Sequence, residues 1–400
     1  VSNFLQIVKA DWVPVNNGLT QLNVNALTSY SSGGVNYVFA GTLWGAESGI
    51  FLSTNNGNSW NLVLSLNTDV WSLANTQSGG VNYIYAGCAN SFYRSTNNGL
   101  NWVNLILPNG SHWYYAVAAN GNYVFAGCKW WSNDPGGIYK STNFGANWVL
   151  TSFPTFAYND VYGLEINGNN LYAGSWSGTY VSTNLGSNWI FSGSGTSARS
   201  FSVINNYIFA GGGGGVFVST NNGMNWTQTS LNNYTIYSLI SFDNVLFAAG
   251  AGVWVSTDNG SNWNARVEGL GGFARSLNIS NGYIFTGTDG SGVYRRSLGE
   301  LVGVKPISEE VPSAYKLEQN FPNPFNSSTK IGFHISKSAI VLIKIYDING
   351  KEISLIVNEY LNAGKYEIVY NAGNISSGIY NYRLIADGLT IDTKKLVLIK

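Results

Sequence analysis

The chain has 400 residues, enough for two or three domains. Only 10% are charged, against about 25% in an average protein, while 14% are aromatic, and Asn, Gly and Ser carry the polarity instead. A formal net charge of zero argues against electrostatic capture of nucleic acid or anionic membrane, and no apolar run of about 18 residues exists to span a bilayer.

The chain starts at Val1 rather than Met, as a processed signal peptide would leave it. The first strand signal is Asp11-Trp12-Val13-Pro14-Val15. After it a set of strands recurs. First strands centre on Leu27, Leu73, Val117, Leu164, Phe201, Leu239 and Leu277. Second strands begin at Tyr37, Tyr83, Tyr123, Leu171, Tyr207, Val245 and Tyr283, and most run into Ala-Gly. Third strands begin at Gly49, Ser91, Gly137, Gly178, Gly215, Gly252 and Gly292. All are short, rich in aromatic and β-branched residues, and bounded by Gly, Asn or Ser.

After six of the third strands comes an octet, S-T-[ND]-x-G-x-x-W, starting at Ser53, Ser95, Ser141, Ser182, Ser219 and Ser256. The copies lie 37 to 46 residues apart, a period that suits a four-stranded propeller blade. Ser and Asn or Asp fix a tight turn through side-chain bonds to nearby backbone, Gly supplies positive φ, and Trp opens a fourth strand. The seventh set has no octet and no fourth strand. The N-terminal segment around Trp12 is expected to supply it, closing the circle without an unpaired edge.

The octet resembles the Asp-box, or BNR repeat, of sialidase-like and photosystem-assembly-factor-like propellers. The resemblance implies a seven-bladed β-propeller with the boxes on the turn between third and fourth strands. The family's Asp is Asn55, Asn97, Asn143, Asn184 and Asn221 here, and only Asp258 keeps the acid. An amide is a poor base and a poor cation ligand, so the box reads as a fold signal.

The repeat ends near Gly299, and residues 299–314, with Pro306 and Pro312, read as a linker. The first 300 residues hold 9 Lys and Arg and the last 100 hold 11, so the tail is a separate domain. Its alternation in 341–346 and its Gly turns predict a small antiparallel sandwich. The tail also carries Leu317 to Asn326 (LEQNFPNPFN), Thr329 to Phe333, Ile345 to Lys351, Ala363-Gly364, Ser377 to Tyr380 and a terminal Lys394 to Lys400. In these it resembles the C-terminal sorting domain of the type IX secretion system of Bacteroidetes-like Gram-negative bacteria. The resemblance implies export, with release or attachment at the cell surface. The expected organisation is all-β: propeller over 1–298, linker over 299–314, and an immunoglobulin-like sorting sandwich over 315–400 that engages the type IX machinery.

Propeller ligands meet the channel mouth, on the face opposite the boxes. The position two before each first-strand core aliphatic is Asn25, Trp71, Tyr115, Tyr162, Arg199, Tyr237 or Arg275. Period-two alternation places each on the same strand face as its core neighbour and nearer the strand start, so one residue per blade should ring the mouth. Of the 14 tryptophans, seven belong to fourth strands, and six more fall on or beside the mouth: Trp44, Trp71, Trp113, Trp130, Trp131 and Trp176. Flat rings suit the apolar faces of sugars, and Arg and Asn suit hydroxyls or a carboxylate. The expected site is therefore Trp71, Tyr115, Tyr162, Arg199, Tyr237 and Arg275, rimmed by Trp44, Trp130, Trp131 and Trp176. Its partner would be an extracellular glycan or a surface protein. The opposing reading is that the rings only pack loops over the blades.

No catalytic set, metal or cofactor is expected. Sialidases need three arginines, a Tyr nucleophile with its Glu, and an acid, whereas this mouth offers Arg199 and Arg275. Xyloglucanase-type relatives use two propellers and paired acids, and Glu47, Asp69, Asp134, Asp160 and Asp289 give no evident pair. His112 and His334 fall in different domains, and Gly211 to Gly215 precedes no helix and so is no phosphate loop. Cys88 and Cys128 end equivalent strands of neighbouring blades, about 10 Å apart and beyond disulfide reach. Two alternatives remain, a glycoside hydrolase of sialidase-like fold and a structural subunit. For the latter, low charge and free sheet edges favour assembly into a homo-oligomeric filament or surface layer.

Overall fold

The computed structural model describes residues 11–45, 47–108, 112–129, 136–156, 159–193, 197–204, 206–242, 244–298, 305–308, 311–326, 328–372 and 375–399. The chain divides into two units, Val1–Arg296 and Ser297–Lys400.

In the first unit, residues 24–65, 70–105, 114–150, 161–193, 200–232 and 238–265 each form a four-stranded antiparallel sheet paired in chain order. Residues 274–297 form a seventh sheet of the same kind, with Val13–Pro14 as its fourth strand. The first strands run Val24–Ser32, Val70–Ser78, Tyr114–Asn120, Val161–Asn167, Ser200–Ile204, Ser238–Phe242 and Ala274–Ser280. Each neighbours the next, and the last lies beside the first, so the inner strands close a circle. Second strands have protein on both faces, which is why they read as apolar runs rather than alternations. Val38, Phe39 and Ala40 are fully buried, as are Val124, Phe125 and Ala126. The glycine after the Ala admits the next sheet: a Cβ on Gly127 would lie 2.5 Å from Cγ1 of Val161. Fourth strands are short and largely exposed, and they begin one residue after the octet Trp.

The six octets share one geometry. The Ser hydroxyl accepts the Gly N–H at 2.8–3.0 Å and donates to the Asn or Asp Oδ1 at 2.9–3.1 Å. That Oδ1 also accepts the N–H four residues on at 2.8–2.9 Å, so the turn is satisfied from within around its buried Ser and Gly. Positive φ is needed at the Gly and also at the residue before it, including Phe144 (58°) and Leu185 (53°). In three of the octets the Trp Nε1–H returns to the octet's own Gly carbonyl at 3.0–3.1 Å.

Val13 and Pro14 pair with Arg295 and Tyr294, as expected of a closing strand. Trp12 is buried, and its Nε1–H donates to Arg266 O at 2.7 Å. A latch runs between sheets as well. Arg94 donates to Phe144 O at 2.7 Å, Lys140 to Leu185 O at 2.8 Å, and Arg295 to Asn56 O across the closure. In each case a third-strand cation grips the next octet's turn.

The second unit has two four-stranded antiparallel sheets. One pairs Lys305–Ser308, Gly364–Asn371, Ser328–Ile335 and Lys316–Leu317 in that order; the other pairs Glu352–Leu361, Ala339–Tyr346, Gly378–Ala386 and Leu389–Leu398. They share one core, including Ile331, Phe333, Val341, Ile343, Ile345, Tyr382, Leu384 and Leu396. Residues 305–308 correct the expected linker, because they form an edge strand against residues 365–367. Pro306 is tolerated there because an edge strand leaves N–H groups that need no ladder partner. The LEQNFPNPFN segment is tied down by Asn320, whose Nδ2 donates to Pro322 O and Thr329 Oγ1, both at 3.0 Å. Its backbone N–H meets the Tyr382 hydroxyl at 2.8 Å.

Candidate functional site

Inner strands begin with a buried apolar residue: Val24, Val70, Tyr114, Val161 and Ala274 are at most 2% exposed. The next residue is the predicted ring residue. In five sheets it is the extra residue of a β-bulge. Val24 faces Thr42 and Ala26 faces Gly41, so Asn25 has no partner, and the same shift isolates Trp71, Tyr115, Tyr162 and Arg275. Arg199 and Tyr237 sit one residue before their strands, held by backbone bonds to Gly211 O (2.7 Å) and Ala249 O (2.8 Å). Alternation alone placed these residues in the sequence, and the bulge was not foreseen. Simple alternation does not hold across a bulge, and in those five sheets it is the bulge that turns the side chain off the blade-packing face.

A missed sequence signal marks the position. The residue after each ring residue is small: Ala26, Ser72, Ala116, Gly163, Ser200, Ser238 and Ser276. A Cβ on Gly163 would meet Arg199 C at 2.7 Å. Ser200 Oγ accepts Leu239 N–H at 2.9 Å, and Ser238 Oγ accepts Leu277 N–H at 3.1 Å, so small hydroxyls satisfy inner-strand donors of the next sheet.

Asn25, Trp71, Tyr115, Tyr162, Arg199, Tyr237 and Arg275 line one cavity of about 370 Å³, together with Leu43, Trp44 and Asp289. They touch in sequence around it. Trp71 stacks on Trp113 (6.1 Å, 23°) and meets Tyr115 edge-on at 5.0 Å, and Tyr115 packs on Tyr162 at 5.7 Å. The Arg199 guanidinium lies 5.1 Å from the Tyr162 ring and 5.4 Å from Tyr237, and Arg275 lies 4.2 Å over Tyr237. Arg275 donates to Asp289 Oδ2 at 2.5 Å. Burial, reinforced by Asp160, pushes the Tyr162 phenol up to about 12, and burial raises Tyr115 further. Both are neutral hydroxyls at physiological pH.

Trp44 is 61% exposed at the cavity edge, its N–H donating to Asp69 Oδ1 at 2.9 Å. Trp176, 65% exposed on the turn between second and third strands, does not line the cavity. Trp130 and Trp131 lie outside the described residues, as does Asp134. Below the mouth a second cavity of about 430 Å³ is walled by inner strands and holds Glu165, Ser202 and Ser241. Glu165 touches the lumen but is hemmed in by protein, and burial raises its carboxyl to about 7. Among the described residues no cluster of three metal-ligating side chains occurs, and Cys88 and Cys128 are buried. Among the described residues no helix is long and apolar enough to cross a membrane.

Residues 319–400 match the family model of a secretion system C-terminal sorting domain. No curated protein is significantly similar to the chain. Solved structures show the fold. PorZ, a surface component of the type IX secretion system of Porphyromonas gingivalis, aligns at 14% identity and TM-score 0.56, covering 96% of this chain and 60% of its own. The chain thus spans about 60% of that protein's length. YCF48 from Cyanidioschyzon merolae aligns at 17% identity and TM-score 0.53, covering 72% of this chain and 98% of its own. The extracellular domain of BT4673 from B. thetaiotaomicron aligns at 10% and 0.54, covering 98% and 59% respectively. The chain is a β-propeller followed by a type IX sorting tail, and the tail implies export to the cell surface or extracellular space of a Bacteroidetes-type Gram-negative bacterium.

Proposed function

We propose that the protein is an exported, non-catalytic binding module: a seven-bladed propeller of the Asp-box type over 1–298 whose mouth takes an extracellular glycan or surface protein. The second unit, with the 305–308 strand at the edge of one sheet, is in this reading an immunoglobulin-like sandwich that engages the secretion machinery. The observation that carries the mouth reading is the convergence of one residue per sheet, five of them on bulges, on a single cavity, with Trp44 open at its edge. Trp176, and Trp130 and Trp131 in the same reading, would extend the rim. The acids near the mouth support binding over hydrolysis: Asp289 is ion-paired to Arg275, Asp69 holds the Trp44 backbone, and Asp160 accepts from the Tyr162 hydroxyl.

The test is a glycan array run beside a pull-down from surface extracts, using the full chain. Trp44→Ala should weaken retention and leave the melting temperature unchanged, because the ring is exposed. Unaltered retention in Trp44→Ala and Tyr237→Ala would count against the mouth. A second reading, self-assembly, is favoured by a different observation. Val103, Val149, Leu150, Ile190 and Phe191 are exposed on the outer strands of three consecutive sheets. Light scattering decides it, and a monomer at high concentration would dismiss it.

A further inference from the structure

The two arginines of the mouth are not equivalent. Arg275 lies over Tyr237 and is neutralised by Asp289 at 2.5 Å. Arg199 lies between the Tyr162 and Tyr237 rings. Among the described residues its guanidinium makes no ion pair and no hydrogen bond, and the nearby Asp160 accepts from the Tyr162 hydroxyl instead. Ring stacking restricts the plane of a guanidinium and leaves its edge, the fork of N–H donors, to face a ligand. An orientation fixed before binding lowers the ordering cost of capture.

Resting on the mouth as a binding site, we infer that its ligand is an acidic sugar, a hexuronate unit whose carboxylate is taken by the edge of Arg199. A carboxylate matches the guanidinium fork with two parallel charge-assisted bonds. The lining itself carries two arginines and one aspartate, a formal charge of +1 counted from Arg199, Arg275 and Asp289, while the nearby Asp69 and Asp160 are engaged by the Trp44 backbone and the Tyr162 hydroxyl. That suits a single carboxylate per bound unit, and Asp289 would repel a densely sulfated or phosphorylated chain. Trp71, Tyr115 and Trp44 supply flat apolar surface on the other side, and Asn25 and Asp289 supply groups for hydroxyls. A volume of about 370 Å³ is near the small end for ligand sites, which fits a terminal unit and not a long buried chain.

The full chain should be titrated by calorimetry and tryptophan fluorescence with short oligogalacturonates. Parallel titrations use the same oligomers with their carboxyls reduced to alcohols, and one peptide with a free or an amidated C-terminus. The acidic oligomers should bind about ten- to hundredfold more tightly than the reduced ones, the worth of a charge-assisted pair. Arg199→Ala should erase that difference without shifting the melt, and Arg199→Lys should restore only part of it, since an ammonium cannot fork. Equal affinity for acidic and reduced oligomers, or a preference that survives Arg199→Ala, overturns the inference and leaves the mouth as a sugar site. Binding of the free-acid peptide alone overturns the sugar and leaves the mouth as a protein site. No binding of any probe overturns this inference, and the mouth reading falls only if the array and pull-down are also empty.

Discussion

Glu165 sets a pH dependence that belongs to one residue. Its carboxyl titrates near about 7 in the folded chain because burial disfavours the charge. Below the ordinary carboxylate range, folded and unfolded chains both hold the proton and nothing is lost. As pH rises from there to about 7, the unfolded chain releases the proton while the folded chain keeps it, so stability falls through that window and levels off above it. The full effect is about 3 kcal/mol. Glu165→Gln removes the titration, so the variant should melt higher than the native chain at pH 8 and nearly level with it at pH 5. Parallel melting profiles across that range would contradict the assignment. Sequence alone did not single out Glu165, because nothing in a strand's pattern says whether a carboxylate finds a cation across a channel. The ring residues were legible, since one position per repeat needs only counting. Their mutual stacking was not, because it depends on distances between sheets.

At the scale of one element, the octet turn depends most on its Ser. Ser141 is buried, its Oγ accepts Gly145 N–H at 2.8 Å, and it donates to Asn143 Oδ1 at 3.0 Å. Ser141→Ala leaves that buried N–H without a partner and should cost about 1–3 kcal/mol in denaturant unfolding. Asn143→Asp should be close to neutral, since Asp258 makes the same contacts in its own turn. A neutral Ser141→Ala would mean that water reaches the turn. In the tail, Asn320→Ala strips two donors from a buried site and should cost a similar amount. The octet's turn, its Gly and its Trp were readable from residue type. The left-handed Phe144 and Leu185 were not, because such φ values are unusual for side chains of that size. Each is held by a neighbour: Phe144 stacks on Tyr83 at 4.4 Å, and both carbonyls accept a cation from the preceding sheet. Tertiary contacts thus override a local preference. The strand at 305–308 escaped for the opposite reason, as four residues with a proline carry too little pattern to separate an edge strand from a linker.

For the whole molecule, closure of the inner circle is where chain order and stability meet. Six sheets take four consecutive strands each, and the seventh takes its fourth from the other end of the chain. The closing segment does more than add a ladder. Val15 and Leu19 are buried in a core shared with Val38, Phe51, Trp60, Phe285 and Val293, so it joins the first sheet to the last. Trp60 Nε1–H donates to Val15 O at 2.7 Å, and Asn16 Oδ1 accepts Val293 N–H at 2.7 Å. Deleting residues 1–20 would therefore bare the edge of Gly292–Ser297, strip the cover from Trp60, and leave the Arg295 latch and the Ser29 bonds to the last inner strand to hold the circle. An unpaired edge with exposed apolar neighbours recruits strands from other chains. The truncated protein should lose its single cooperative melt and aggregate at concentrations where the full chain stays clear, and a synthetic peptide of residues 1–20 added in trans should restore part of the melt. A truncated chain that melts as the full one does would show that the seventh sheet stands on three strands. Arg295→Ala tests the same closure more gently: it should lower the melting temperature by more than Arg94→Ala, because only the former spans the junction between the seventh sheet and the first.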